Sequence, residues 1–412
     1  MFDLHETIAA RTGEMIELLG DLVAIPSVSG QEKALVEYVR EYARRQGLEC
    51  DLWQADEDEL LRFGPLPPKF IPLAGRPTLV IRLPGAGEGP SLLFNAHSDV
   101  VGAPDAARWQ FGPWSGRVHE GRLFGRGACD TKGPLVSALW AIAALKDMRQ
   151  PLAGDVLLEL IPGEEDCVGL GTLTSVARGW SGDGVVVLEP TRGLPCPASR
   201  GGLRFEIACL GQAVHGTVKW LGRDALAHVP RVLAVLKELE SRWNDRQADP
   251  LFDEHPLMRP ITPDSIHGGQ WQGMICDRCV CAGYLELLPG DDLDAWAALF
   301  ANTVLDELLR AGGKREDFSV QIVERYHGHS THIDSELCQA AAQAAGVEKW
   351  SGFNSGCEAG LRARLLGTPT LVWGPGDLAQ AHAVDEFIDL RQVAETAEQF
   401  ARLATIFCGV QQ

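Results

Sequence analysis

Positive charge is scarce in this sequence of 412 residues. It has 37 Lys and Arg against 56 Asp and Glu, which gives a formal net charge of −19 at pH 7. Such an excess of negative charge repels polyanions and anionic membranes. We therefore expect neither nucleic acid nor a membrane surface among the partners of this protein.

A long apolar run and a basic leader are also missing at the N-terminus. Residues 1–27 read MFDLHETIAARTGEMIELLGDLVAIPS, an amphipathic helical pattern interrupted by acidic residues. This pattern fits neither a membrane span nor an export signal, so we expect a cytoplasmic protein. The 11 cysteines are scattered and odd in number, which favours buried thiols in a reducing compartment over a disulfide framework.

The order of apolar runs predicts a large α/β domain with a second domain inserted into it. From about residue 75 to 190, strand-like runs alternate with helical stretches, which is typical of a mostly parallel sheet with flanking helices. The next stretch has the order strand, helix, strand, strand, helix, strand, which predicts a ferredoxin-like α+β module. We place the insert at residues 199–326 and the large catalytic domain at residues 1–198 and 327–412.

Polar residues at the ends of predicted strands are the first candidates for a site, because ligands of α/β sheets gather there. His97 and Asp99 follow an apolar strand on the same side, so the carboxylate could orient an imidazole that binds a metal. A purely structural histidine is the alternative. Asp130 lies in the glycine-rich stretch GRGACDTKG before a helix, where it could bridge two cations or simply cap the helix.

Further candidates end the next predicted strands. Glu164, Glu165 and Asp166 are adjacent acids that repel each other unless cations or solvent intervene, and a solvated acidic turn is the alternative. Glu189 ends the strand GVVVLEPT, and His382 follows a loop after PTLVWG. Two imidazoles and several carboxylates together form the mixed nitrogen and oxygen ligand set that zinc, cobalt or manganese accepts.

The motifs stand in an order and spacing that resemble the M20 metallopeptidase-like family over nearly the whole chain. The resemblance is strongest to acetylornithine deacetylase-like, succinyl-diaminopimelate desuccinylase-like and carboxypeptidase-like members. The matching stretches are LVAIPSVSGQE, HSDVV, GRLFGRGACDTKG, PGEED, LEPT and WGPGDLAQAHAVDEF.

The resemblance implies a centre of two divalent metals, with zinc expected and cobalt or manganese as alternatives. His97 and Glu189 would bind one metal, Asp130 would bridge both, and Glu165 with His382 would bind the other.

The resemblance also implies roles for residues that do not bind metal. Asp99 would orient His97, and Glu164 would be the general base. His215, in the stretch GQAVH of the insert, would reach the active site of a neighbouring subunit, which implies a homodimer formed through the inserted domain.

Substrate contacts are implied less directly, because the insert departs from the family pattern. Glu286 stands where an arginine is usual, and Gly273 where an asparagine is usual. Arg325 is a candidate clamp for a substrate carboxylate, and His327 could replace it.

Near the expected active site, the stretch Gly356-Cys357-Glu358-Ala359 carries a glutamate where the family usually has an aspartate. We therefore count Gly356 and Glu358 among the expected substrate contacts. Two other clusters are not expected to form a metal site. Hydrogen bonding is predicted for His327, His329 and His332, and packing is predicted for Cys276 and Cys279.

The expected function is hydrolysis of an amide bond in a small N-acyl amine or amino acid. The acetylornithine deacetylase-like spelling of residues 374–387 motivates this expectation. A dipeptidase or carboxypeptidase of the same family is the first alternative. An acyl-transfer or amide-forming enzyme and a non-catalytic binding relative are the others.

Overall fold

The computed structural model describes residues 4–64, 70–148, 151–166, 168–244 and 249–411. The chain divides into two compact units. The larger unit contains residues 1–199, 329–353 and 357–412, and the smaller unit contains residues 200–328 and 354–356. The short segment 354–356, which the sequence predicts in the larger domain, belongs to the smaller unit.

Strands and α-helices follow one another along most of the chain. The strands are β1 (Glu49–Trp53), β2 (Thr78–Leu83), β3 (Leu92–His97), β4 (Arg117–His119), β5 (Arg122–Phe124), β6 (Val156–Ile161), β7 (Gly184–Val187), β8 (Ala198–Ser199), β9 (Gly201–Leu210), β10 (Ile261–Gly268), β11 (Arg278–Leu287), β12 (Phe318–Tyr326), β13 (His329–Ser330), β14 (Thr370–Val372) and β15 (Phe387–Asp389). The α-helices are α1 (Leu4–Ala10), α2 (Thr12–Ala24), α3 (Lys33–Arg45), α4 (Glu57–Leu60), α5 (Gly133–Lys146), α6 (Leu170–Arg178), α7 (Val229–Asn244), α8 (Leu293–Arg310), α9 (Glu336–Ala345), α10 (Ala359–Leu366) and α11 (Leu390–Phe407). Among the described residues, no helix combines the length and apolar character that crossing a bilayer requires.

The larger unit is built on a six-stranded sheet with the order β1-β2-β6-β3-β7-β14. Strands β6, β3, β7 and β14 are parallel to one another, whereas β2 is antiparallel to both of its neighbours. Strands β3, β6 and β7 are buried along their whole length, as expected of a sheet that is covered on both faces. The mostly parallel α/β sheet predicted from the sequence is confirmed.

Helix α5 is the central helix of this unit, and it is buried from Gly133 through Leu145. A helix that is apolar on all sides must be surrounded by protein, and α5 packs between the sheet and helices α2 and α11. Its first residue directly follows the turn that carries Asp130. The buried helix therefore fixes Asp130 at the carboxyl ends of β3, β6 and β7, where the chain also places His97, Glu164 and Glu189.

The smaller unit is a four-stranded antiparallel sheet with the order β10-β11-β9-β12. With α7 between β9 and β10 and α8 between β11 and β12, it has the predicted ferredoxin-like order. Phe205 and Phe300 pack in its core with ring centroids 4.7 Å apart. Cys276 and Cys279 are buried free thiols, as expected of packing residues, and Cys279 faces the buried Cys209 across β9 and β11.

Candidate active site

Asp130 lies between the two histidines that the sequence singles out. Its Oδ1 is 3.0 Å from Nε2 of His97, and its Oδ2 is 3.6 Å from Nε2 of His382. Glu165 Oε2 is 3.0 Å from the same His382 nitrogen. One carboxylate therefore faces two imidazoles with two different oxygens, which is the arrangement that a ligand bridging two cations needs.

The side chains of this site come from the same edge of the sheet, at or just after the ends of neighbouring strands. His97 is the last residue of β3, Glu165 follows β6, and Glu189 follows β7. The turn before Asp130 needs Gly127, which has φ +82° and where a Cβ would approach Val100 to 2.6 Å.

The ring of His97 is oriented by a main-chain oxygen. Its Nδ1 is 2.9 Å from the carbonyl oxygen of Asp99, whereas the Asp99 carboxylate is 3.7 Å away. Because Nδ1 donates its proton to this carbonyl, Nε2 is the ring atom that faces Asp130 and that could bind a metal. The shorter contact of the ring is therefore with the main-chain carbonyl of Asp99, and the carboxylate of the same residue lies farther away.

The carboxylate of Asp99 organises a turn instead. It accepts hydrogen bonds from the main-chain N–H groups of Gly163, Glu164 and Glu165 and from the Ser29 hydroxyl. Burial opposes its ionisation, but the neighbouring His97 imidazole and the hydrogen bond from Ser29 hold its pKa below the usual value. Asp99 therefore stabilises the turn that carries both Glu164 and Glu165.

Acidic groups are crowded and buried in this site. Burial is the main cause that raises the pKa of Glu164, Glu165 and Glu189. Repulsion from Glu189 raises the pKa of Glu164 further, and repulsion from Asp130 does the same for Glu165 and Glu189. Asp130 is also buried, yet the bond from His97 and the charge of His382 lower its pKa. Buried acids at this density are stable together only when protons or cations neutralise them.

The donor set therefore fits divalent metals. Atoms of His97, Asp130 and Glu165 lie within 4.8 Å of one another. Carboxylate oxygens with imidazole nitrogens suit zinc, cobalt and manganese. His382 is on the far side of Asp130, with 54% of its side chain exposed, so one flank of the site is open.

Glu358 is buried near Glu189, and both of its carboxylate oxygens accept main-chain hydrogen bonds. Its Oε1 accepts from Gly169 N at 2.8 Å and its Oε2 from Thr172 N at 3.2 Å, so both oxygens hold the first turn of α6. Burial raises the pKa of Glu358 to about 7. Because α6 begins shortly after Glu165, this glutamate supports the segment behind the site.

The remaining expected substrate residues and His215 belong to the smaller unit. Arg325 is 43% exposed and its Nε lies 3.1 Å from Asp294 Oδ1. His327 is half-buried. Gly356 lies against Tyr326, whose ring a Cβ at this position would approach to 2.4 Å. His215 is exposed, with Nδ1 2.8 Å from the Thr217 hydroxyl.

Glu286, which departs from the family pattern, and His329, from the histidine cluster, both have structural roles. Glu286 is buried and accepts a 2.7 Å hydrogen bond from the Tyr326 hydroxyl, and burial raises its pKa to about 7. The glutamate that stands in place of the usual arginine is therefore buried inside the smaller unit. His329 accepts from the Ser199 hydroxyl and donates to the Thr370 carbonyl, so its predicted hydrogen-bonding role is confirmed.

Sequence reasoning missed three ion pairs around the site, which are made by two buried arginines. Arg126 pairs with Glu386, and Arg76 pairs with both Glu32 and Asp166. Arg126 and Glu386 lie within the motifs GRLFGRGACDTKG and WGPGDLAQAHAVDEF, where a charged residue among glycines and apolar residues was the available signal. Arg76 is in a loop, and its sequence neighbours gave no such signal.

A model of peptidase family M20/M25/M40 matches residues 93–406 of this chain, a segment that includes every expected metal ligand. The chain belongs to this family. The resemblance predicted from the motifs is confirmed, and the protein is an amide-bond hydrolase of the M20 family.

Similar proteins cover nearly the whole chain. The N-formyl-4-amino-5-aminomethyl-2-methylpyrimidine deformylase of Halalkalibacterium halodurans is 24% identical over 97% of this chain and 95% of its own length. The acetylornithine deacetylase of Myxococcus xanthus is 29% identical over 83% of this chain and 87% of its own length. The solved structure of the di-peptidase Dug1p from Saccharomyces cerevisiae superimposes with a TM-score of 0.78, at 14% identity and 98% coverage of each chain.

Proposed function

We propose that this M20 hydrolase removes a small acyl group from the nitrogen of a small amine or amino acid. The position of Asp130 between the two imidazoles carries the proposal, because it supports a two-cation centre for amide hydrolysis. Two relatives that match most of the chain are named a deformylase and a deacetylase, and this favours deacylation over peptide cleavage.

The proposed centre holds two divalent metals, with zinc as the first choice. His97 and Glu189 would hold one metal, Glu165 and His382 the other, and Asp130 both. When bound, such a pair supplies a Lewis acid for the substrate carbonyl and lowers the pKa of a water molecule.

Glu164 is the proposed general base. It is next to a proposed ligand, Glu165, and its main-chain N–H is bound by Asp99, so its position is fixed. It would take a proton from water and pass it to the departing nitrogen, a step that contributes a factor of about 10²–10⁴ in typical enzymes. His215 from a neighbouring subunit would donate a hydrogen bond to the oxyanion, worth a factor of about 10²–10³.

Substrate recognition is proposed to involve the exposed Arg325 and the half-buried His327. Gly356 and Glu358 would act indirectly, since one makes room for Tyr326 and the other holds the start of α6. Replacing Arg325 by Gln should raise KM for an acidic substrate with little change in kcat.

A homodimer formed through the smaller unit is also proposed. Strand β10 is at the edge of its sheet, and this unit exposes two tryptophans, Trp220 and Trp271, to 74% and 80%. Light scattering should give twice the chain mass. A cytoplasmic location is proposed because every described cysteine is a free thiol.

The test is an activity panel of N-acetyl, N-formyl and N-succinyl amines against dipeptides, measured for the wild type, Glu164→Ala and a surface control, Glu88→Ala. We expect turnover of an acyl amine that falls at least about 10²-fold in Glu164→Ala and is unchanged in the control. Activity on dipeptides alone would favour the peptidase alternative. Equal turnover in wild type and Glu164→Ala would remove the proposed base, and products formed with added amines would indicate acyl transfer.

A further inference from the structure

A buried ion pair connects the two chain segments that carry Asp130 and His382. Arg126 Nη1 donates to Glu386 Oε2 at 2.6 Å, and the two side chains are 5% and 0% exposed. The two residues are far apart in sequence, with Arg126 in the turn before α5 and Glu386 next to β15. Their contact therefore joins the bridging ligand to the loop of the last ligand.

The second oxygen of Glu386 holds the turn of the bridging ligand. Oε1 accepts from the main-chain N–H of Cys129 at 2.9 Å and from that of Asp130 at 3.2 Å. The main-chain oxygen of Glu386 also accepts from Gly125 N at 2.9 Å. A shift of Glu386 would therefore move the main chain of Asp130 itself.

Arg126 holds the other segment. Its Nη2 donates to the carbonyl oxygen of His382 at 3.2 Å. His382 has φ +61° and Asp385 has φ +59°, a left-handed conformation that residues other than glycine seldom adopt. Such a conformation persists only where the surroundings hold it, and here Arg126 and the 2.6 Å bond from Gln110 N to Asp385 Oδ1 do so.

We propose that Arg126 and Glu386 form a brace that sets the spacing between Asp130 and His382, and thereby the affinity for the second of two metals. This inference rests on the proposed two-metal function. Both residues act through main-chain atoms of the ligand residues, so they are positioning residues. A buried ion pair contributes little net stability compared with apolar packing, so we assign this pair a role in ligand geometry.

The test is a stepwise Co²⁺ titration of the metal-free protein, followed by visible absorption, with thermal unfolding of the metal-free protein measured in parallel. The variants are Glu386→Gln, Arg126→Gln and the conservative Arg126→Lys. The matched control is Glu159→Gln, which breaks another buried pair of this unit, Glu159 with Arg362, at side chains that are 0% and 1% exposed. Glu159 bonds to Asn95, Ser175 and Arg362, none of which is a proposed ligand.

We expect the affinity for the second Co²⁺ to fall about 10–100-fold in Glu386→Gln and Arg126→Gln, with the first step much less affected. Arg126→Lys should recover part of the loss, because it retains the charge. Glu159→Gln should lose comparable thermal stability while binding both ions as the wild type does. Full-affinity binding of two ions by Glu386→Gln, or an equal loss in the control, would overturn the brace and leave the proposed function intact. A wild type that binds no Co²⁺ would overturn both.

Discussion

Replacing Asp99 by Asn should loosen the turn that carries the proposed base without changing the shape of the side chain. In the structure, Oδ1 of Asp99 accepts from Gly163 N at 3.0 Å and Glu164 N at 3.2 Å, while Oδ2 accepts from Glu165 N at 3.1 Å and the Ser29 hydroxyl at 2.9 Å. An asparagine has one oxygen and one NH₂ group. In either orientation the NH₂ group meets at least one main-chain donor that it cannot satisfy.

The size of the effect follows from these bonds. Hydrogen bonds to a charged group contribute about 1.5–3 kcal/mol each, and a buried donor left without a partner costs about 1–3 kcal/mol. If the NH₂ group replaces Oδ2, one main-chain bond is lost and Ser29 can rotate to accept, so we expect a stability loss of about 2–4 kcal/mol. Turnover should fall further than stability alone explains, because Glu164 and Glu165 are both on this turn.

Urea unfolding of the metal-free protein measures the first quantity, and kcat in native buffer the second. Ser29→Ala is the matched control, since it removes one bond to the same carboxylate and leaves the three main-chain bonds in place. We expect it to cost about 1.5 kcal/mol, the lower end of the range for a bond to a charged group, with kcat nearly unchanged. Wild-type stability and kcat in Asp99→Asn, or an equal loss in Ser29→Ala, would refute the role assigned to this carboxylate.

Three further predictions concern other buried groups. Burial raises the pKa of Glu286 from 4.5 to about 7, so the folded protein binds the proton more tightly than the unfolded chain and stability falls as the pH rises through this range. The wild type should lose about 3 kcal/mol of unfolding free energy between pH 5 and pH 8, measured by urea unfolding, and Glu286→Gln should abolish this loss. The control Glu240→Gln changes a glutamate that binds Ile261 N in the same unit, and it should leave the loss in place. Glu358→Ala should destabilise the larger unit by about 2–4 kcal/mol by leaving two buried N–H groups unpaired, as thermal unfolding would report. Gly356→Ala should cost about 1–3 kcal/mol through its clash with Tyr326, and an unchanged melting temperature would contradict this packing.

The fold could be predicted where the hydrophobic pattern was strong. Strands β3, β6 and β7 are continuous apolar runs, and the strand and helix order of the smaller unit follows from alternating patterns. Strand β1, with the sequence ECDLW, was missed because it is a partly exposed edge strand without a clear period. The N-terminal helical pattern forms α1 and α2, with residues 1–3 outside the described residues.

His97, Glu165 and Glu189 could be predicted because they end or closely follow strands, and Asp130 because it precedes a buried helix. His382 lies in a loop and could be predicted from its motif. His97, Asp130, Glu165 and His382 come together, and the charge of Asp130 acts on Glu189. Their supports could not be predicted, because a bond to a main-chain N–H leaves no trace in spacing. Glu358 illustrates this limit, since its acid suggested a substrate contact while its oxygens hold α6.

The central claim is that Asp130 bridges two metal ions, and metal analysis of the purified protein with its Asp130→Ala variant tests it most directly. We expect two divalent ions per chain in the wild type and the loss of both in Asp130→Ala, with the fold retained by circular dichroism. Two ions retained in Asp130→Ala, or an active wild type without metal, would contradict it.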